Sequence, residues 1–172
     1  MIIVLNGPLG IGKSTLAEAL AESIDGCVML DGDFLVAANP AHRDEIEHLH
    51  STIALLVSHH REFGYQHFVI NHIWRSPAEL DDLRRRLVAA DPDIHVFLLT
   101  LSADENVSRI ERRAGAREFD ELDWEKKAVG EERAALAANT AGIGEPFDVA
   151  DPPTVLVQRM LRRLNIVASQ CR

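Results

Sequence analysis

The chain reads as an α/β domain in which a parallel sheet is covered by helices on both faces. Three observations carry this reading. Ile2-Ile3-Val4-Leu5 is apolar without polar alternation, the pattern of a strand buried on both sides. Strand-like and helix-like segments alternate along the chain, an order that right-handed crossovers turn into a parallel sheet between helical layers. A glycine-rich turn, Gly7-Pro8-Leu9-Gly10-Ile11-Gly12-Lys13-Ser14, stands between the first strand and the first helix.

That first helix is predicted over 14–24, with Leu16, Ala19, Leu20 and Ile24 on one side and Asp25-Gly26 as its stop. Cys27-Val28-Met29-Leu30 makes a second buried strand, ending at Asp31-Gly32-Asp33. Beyond Asn39-Pro40, Ile46, Leu49, Ile53, Leu56 and His60 recur every three or four residues, which predicts a long amphipathic helix over 43–63 closed by Gly64. Phe68-Val69-Ile70 is the third strand. Ser76-Pro77-Ala78-Glu79 has an N-cap, a proline at the first helical position and a glutamate two further on, so a helix runs from there to about residue 90. Asp91-Pro92-Asp93 turns the chain into a fourth strand over 94–101. Helices follow over 103–114 and 119–138, separated at Gly115. After the loop Gly142-Ile143-Gly144-Glu145-Pro146 come a short strand, Phe147-Asp148-Val149, and a last helix from Pro152/Pro153 to Leu164.

At 172 residues the chain fits one domain spanning 1–172. Its apolar content of 47% excludes disorder as a description of the whole. With 27 acidic against 18 basic residues the net charge is -9, which repels polyanions, so no nucleic-acid partner is expected. No apolar run approaches the ~20 residues of a membrane span. The Met1–Leu5 run is also too short for a signal peptide and has no basic segment before it. Cys27 and Cys171 lie far apart without ligand spacing, which argues against disulfides and zinc. A cytoplasmic protein without a membrane partner, working as a monomer or homodimer, is the expectation.

The glycine-rich turn matches G-x-x-x-x-G-K-[ST]. Small residues there let successive backbone N–H groups converge on phosphate oxygens at the positive end of the next helix. Gly7, Gly10, Ile11, Gly12, Lys13, Ser14 and Thr15 are therefore the expected nucleotide-binding residues, with Lys13 reaching the terminal phosphates and Ser14 ligating Mg²⁺. ATP and Mg²⁺ are the expected cofactors.

Asp31 and Asp33 lie at the carboxyl edge of the sheet, where open α/β folds bind ligands. A carboxylate there can orient an acceptor hydroxyl, accept its proton and help hold Mg²⁺. Asp33 is the preferred base and, with Ser14, a metal residue; Asp31 either faces the acceptor or caps the following helix. Asn71 ends strand three where many nucleotide enzymes carry an acid supporting the metal, so Asp31 or Asp33 takes that part or the shell is mostly water. Asn71, His72, Trp74 and Arg75 share this edge and, with Asp31, are the expected acceptor-binding residues. The indole either stacks on the acceptor or belongs to the core, and the guanidinium either grips an anion or is a surface group.

Arg109, Arg112, Arg113 and Arg117 cluster in an acidic chain. Guanidiniums over a transferring phosphoryl group neutralise charge in the transition state, and Arg109 and Arg113 are the residues chosen for that role. The competing reading is a solvated face paired with Glu105, Glu111 and Glu118. The pairs His48/His50 and His59/His60 lack metal-ligand spacing and are placed on or beside the long helix.

Taken together, Gly7 to Thr15 and Met29-Leu30-Asp31-Gly32-Asp33-Phe34 resemble the small P-loop kinases, notably gluconate kinase and adenylylsulfate kinase, which have a similar Asp-Gly-Asp after the second strand. Val96-Phe97-Leu98-Leu99, the Arg109 to Arg113 helix and the Phe147-Asp148-Val149 to Pro152-Pro153 ending continue that order. Met1 to Gly7 and the Trp74-Arg75 pair are also similar to tunicamycin-resistance proteins and, more loosely, to chloramphenicol phosphotransferase. The resemblance implies a three-layer fold with a five-stranded parallel sheet of order 2-3-1-4-5, an arginine-bearing lid at about 109–120, and an adenine site near Asp151 and Pro152. Asp-Gly-Asp-Phe is not followed by His-Pro, and no Phe-Ile-Ser-Pro stretch is present, so the acceptor does not carry over from those families.

The expected activity is ATP- and Mg²⁺-dependent transfer of the γ-phosphoryl group to a hydroxyl of a small-molecule acceptor: a sugar, sugar acid, nucleoside or antibiotic-like compound. The alternative is a regulatory nucleotide-binding module with slow hydrolysis. Asp33 and the arginines favour the kinase, and no Asn-Lys-x-Asp guanine signature follows strand four.

Overall fold

The computed structural model describes residues 1–113 and 119–166, except for the side chains of residues 113 and 119–121. Five strands, β1 (Ile2–Asn6), β2 (Cys27–Asp31), β3 (His67–His72), β4 (Ile94–Thr100) and β5 (Glu145–Asp148), form one parallel sheet in the order β2-β3-β1-β4-β5. The helices between them are α1 (Lys13–Ser23), α2 (Gly32–Leu35), α3 (Glu45–Glu62), α4 (Pro77–Leu87), α5 (Ala103–Arg113), α6 (Phe119–Ala138) and α7 (Pro153–Arg163).

Every residue of β1 is buried, as its unbroken apolar run predicts. Strand alternation divides those residues between two cores. Ile2, Val4, Phe68 and Ile70 pack with Leu49, Ile53 and Val57 of α3 and Leu80, Leu83 and Leu87 of α4. On the opposite face Ile3, Leu5, Val69 and Phe97 pack with Leu16 and Leu20 of α1 and Leu156 and Met160 of α7. Each such side chain, fully buried, contributes roughly 1.5–3 kcal/mol.

Two local differences from the sequence reading affect the site. A single helical turn, α2, occupies what reads as a loop after Asp31, started by the Asp31 carboxylate accepting the Asp33 N–H at 3.0 Å. The buried stripe of α3 is Leu49, His50, Ile53 and Val57, whereas Ile46, Leu56 and His60 are only partly covered. A histidine can replace an aliphatic residue in that stripe because both of its ring nitrogens find partners. The α4 start is as expected: Ser76 Oγ accepts the Glu79 N–H at 3.3 Å, with Pro77 at the first position.

Register sets the site. Asp31 of β2 stands opposite Asn71 of β3, and Asn6 of β1 stands opposite both His72 of β3 and Leu98 of β4. The carboxyl ends of the three central strands and of β2 therefore finish together, beside the turn into α1.

Candidate active site

Gly12 caps α1 with φ 103° and no side-chain hydrogen bond, so the first-turn amides of α1 keep their capacity for an anion. Gly10 has φ 72°, and a Cβ there would lie 2.4 Å from Ile110 Cγ1, so both the backbone and the close packing of α5 require glycine. Lys13 Nζ donates to the carbonyls of Gly7 at 2.9 Å and Pro8 at 3.1 Å, which folds the ammonium over the loop.

The turn is also braced from distant helices. Glu132 of α6 accepts the Leu9 N–H at 2.7 Å, and the buried Asn106 of α5 donates to the Leu9 carbonyl at 3.1 Å. Sequence reasoning missed both residues. They lie 123 and 97 positions from Leu9, and no local spacing marks them.

Ser14, Asp31 and Asn71 form one polar cluster. Ser14 Oγ donates to Asp31 Oδ2 at 2.8 Å, and Asn71 Nδ2 donates to the same carboxylate oxygen at 2.9 Å. Asn71 Oδ1 is buried and has no hydrogen-bond partner. A hydroxyl and a carboxylate are hard oxygen donors, a pair that fits Mg²⁺ with most of its water shell retained. This corrects the expected division between the aspartates: Asp31 belongs with Ser14, and Asp33 points elsewhere. Asn71, expected at the acceptor, joins the same cluster through its Nδ2. Asp31 fills both parts considered for it, since its other oxygen caps α2.

Asp33 pairs instead with His72, whose Nδ1 lies 2.9 Å from Asp33 Oδ1. A carboxylate only accepts, so Nδ1 carries the proton. That hydrogen bond, opposed in part by burial and aided by the charges of His72 and Lys13, holds the Asp33 carboxyl below its ordinary value of 3.8. Asp33 is thus anionic at neutral pH.

Trp74 is not available to an acceptor. Its ring is wholly buried, and its indole N–H donates to His50 Nε2 at 2.9 Å. Because an indole N–H only donates, Nε2 of His50 is unprotonated and its proton sits on Nδ1, which faces Asp82 Oδ2 at 2.8 Å. Hydrogen bonds from His50, Arg86 and Arg85, with burial opposing, lower the Asp82 carboxyl to about 2. Trp74 is fixed further by the buried Asn6, which accepts its N–H at 2.9 Å and donates to the carbonyls of Trp74 and Ile143 at 3.0 Å each. Arg75 is half exposed and pairs with Glu132 at 3.2 Å, so Glu132 joins the phosphate turn to the acceptor side. Among the described residues no three His, Cys, Asp or Glu side chains gather to hold a metal, and the histidines form no such site.

Arg109 departs from its expected place over the transferring phosphoryl group. It donates to the carbonyls of Ile11 at 3.1 Å and Val149 at 2.8 Å, which ties the phosphate turn to the loop after β5. Arg113 closes α5, and its side chain, with residues 114–118 of the expected 109–120 lid, Arg117 among them, lies outside the described residues.

Three clefts follow one another along this edge. One of 520 Å³ lies between Thr15, Arg109, Asp151 and Pro152, where the resemblance puts adenine. The next, of 490 Å³, surrounds Lys13, Ser14, Asp31 and Asp33 and shares Gly10 and Gly12 with the first. The third, of 830 Å³, contains His72, Arg75 and Trp124 and shares Leu9 and Asp33 with the second. No described helix is long and apolar enough to cross a membrane.

No family model matches the chain, and no curated protein matches it in sequence. Solved structures do. A tunicamycin resistance protein from Deinococcus radiodurans is similar with a TM-score of 0.70 and 16% identity, over 99% of this chain and 98% of that one. A gluconokinase from Sinorhizobium meliloti 1021 is similar with a TM-score of 0.61 and 20% identity, over 95% and 94% of the two chains. For a shikimate kinase from Bacteroides thetaiotaomicron the TM-score is 0.58 at 18% identity, over 96% and 99%. At these identities the likeness is one of fold: an α/β domain with a five-stranded parallel sheet in 2-3-1-4-5 order.

Proposed function

We propose that the protein is an ATP- and Mg²⁺-dependent phosphotransferase acting on a hydroxyl of a small molecule. The observation that carries this reading is Asp33, an anionic carboxylate in the wall shared by the phosphate cleft and the larger cleft beyond it. A hydroxyl bound in the larger cleft and a phosphoryl group bound at Lys13 would meet there.

The first-turn amides of α1 and the Lys13 ammonium hold the phosphates. Ser14 and Asp31 would hold Mg²⁺, with Asn71 Nδ2 fixing the shared Asp31 oxygen. Bound there, Mg²⁺ would supply charge neutralisation at the phosphate oxygens. Asp33, oriented by His72, aligns the acceptor hydroxyl and takes its proton. A carboxyl held low is a weak base, so its contribution is chiefly alignment, the main requirement of a loose phosphoryl transition state. Arg109 serves the nucleotide end of the site.

Asp33→Asn and Asp31→Asn test this division. Asp33→Asn should lower transfer by about 10²–10⁴-fold with little change in ATP affinity. Asp31→Asn should raise the Mg²⁺ concentration needed for half-maximal rate. Parental transfer by both variants would remove the basis for the kinase reading and favour a regulatory nucleotide-binding module.

A further inference from the structure

The 830 Å³ cleft has a charge balance unlike that needed for an acidic acceptor. Four carboxylates line it, Asp33, Glu45, Glu131 and Glu132, against two cations, Arg75 and Lys127. Even with His72 counted as charged, a negative excess remains. Both cations are also answered from inside the cleft: Arg75 lies 3.2 Å from Glu132, and Lys127 lies 3.9 Å from Glu131. Glu132 cannot release Arg75 cheaply, because it also holds the Leu9 N–H of the phosphate turn at 2.7 Å. Glu45, at the exposed start of α3, has no ion-pair partner among the described residues.

Trp124 is a second, independent feature of the same wall. The residue is 65% exposed, unlike the wholly buried Trp74, so it presents an indole face to whatever enters. The negative face of an indole attracts cations and the C–H face of a saturated ring. Among the described residues, an incoming carboxylate would meet the excess acids and this ring with no unpaired cation, whereas an ammonium would meet favourable partners on both sides.

We propose that the acceptor is an amine-bearing, polyhydroxylated ring compound, of amino-sugar or aminocyclitol chemistry, with sugar acids disfavoured. This rests on the phosphotransferase reading and narrows it. In the reaction an acceptor hydroxyl oxygen bonds to the γ-phosphorus while the bridging P–O bond to ADP breaks. The hydroxyl proton passes to Asp33 and on to solvent, and the ammonium is a handle that stays unchanged.

The test is ADP release with saturating MgATP on matched acceptors: glucosamine, glucose and glucuronate, and 2-deoxystreptamine against myo-inositol. In each series the amine should lead its neutral counterpart in kcat/KM by roughly tenfold, with glucuronate last, and added salt should shrink the gap. Glu45→Gln with Glu131→Gln should reduce the amine advantage several-fold, and Glu45→Lys should move the glucosamine-to-glucuronate ratio toward the acid. These ratios are internal to each variant and do not depend on how much of it folds. Preference for glucuronate, or ratios unmoved in both variants, would overturn the acceptor class while leaving the kinase intact. Calorimetric binding of MgATP with no transfer to either amine would overturn it too. Failure to bind MgATP at all would bring down the phosphotransferase reading beneath it.

Discussion

Gly32 lies between the two site aspartates, and adding one methyl group there separates their roles. A Cβ on Gly32 would sit 2.7 Å from His72 Cβ and 2.8 Å from both Cγ and Nδ1 of that ring. Ordinary carbon contacts need about 3.5–4 Å, so in Gly32→Ala the imidazole must retreat by roughly 1 Å. The turn itself cannot give way easily, since Asp31 is held by Ser14, Asn71 and the Asp33 N–H. The ring therefore moves, and the 2.9 Å bond from His72 to Asp33 is lost. A displacement of about 1 Å at a positioning group costs on the order of 10²-fold in rate, and overpacking of this kind costs about 1–3 kcal/mol of stability. The three atoms nearest the added carbon all belong to His72 and none to Lys13 or α1, so MgATP affinity should stay near parental. The assay pairs steady-state transfer with calorimetric MgATP titration and a thermal melt. His72→Gly removes all three atoms nearest the added methyl, so Gly32→Ala added to His72→Gly should cost little more. A Gly32→Ala protein with lowered stability but kcat within twofold of parental would refute the claim that the His72–Asp33 pair aligns the acceptor.

Arg109→Ala removes the tie between Ile11 and Val149 and should weaken nucleotide binding about tenfold while kcat changes less; a fall mainly in kcat would place the guanidinium on the reacting phosphoryl group after all. Trp74→Phe keeps most of the ring but leaves His50 Nε2 without its donor, so urea unfolding should show a loss of about 1–3 kcal/mol, and an unchanged midpoint would show the bond to be dispensable. Asp82 titrates near 2 in the folded protein against an ordinary 3.8, so its contribution is fully present above about 3.8 and disappears as pH falls toward 2. The stability gap between parent and Asp82→Asn should accordingly narrow with acid across that window, and a gap independent of pH would contradict the assignment.

The phosphate turn was legible because its chemistry is local. Eight consecutive residues carry the glycines, the lysine and the hydroxyl, and the flanking strand and helix announce themselves by periodicity. The partition between Asp31 and Asp33 was not, because it depends on β2 pairing with β3 so that Asp31 meets Asn71, and on a one-turn helix that swings Asp33 toward His72. Neither event leaves a trace in the Asp-Gly-Asp triplet itself. Trp74 misled for a related reason. It follows a strand end and precedes Arg75-Ser76-Pro77, a polar neighbourhood with no period to say which way the ring turns, and the partner that draws it inward is His50 on α3. Arg109 was correctly read as part of an arginine helix, yet its carbonyl partners belong to segments 98 and 40 residues away.

The separation of the clefts has a consequence for how such a protein can diversify. The glycine-rich turn lies on one contiguous stretch of chain, from β1 into α1, whereas the far cleft is walled by α6, the start of α3 and short segments after β2 and β3. Residues such as Trp124, Lys127 and Glu131 can therefore be exchanged to suit a new acceptor without rebuilding the phosphate turn. The seam in this modular plan is Glu132, which serves Leu9 and Arg75 at once. A transplanted α6 lacking that carboxylate would slacken the turn and set Arg75 free, converting a wall that refuses anions into one that invites them.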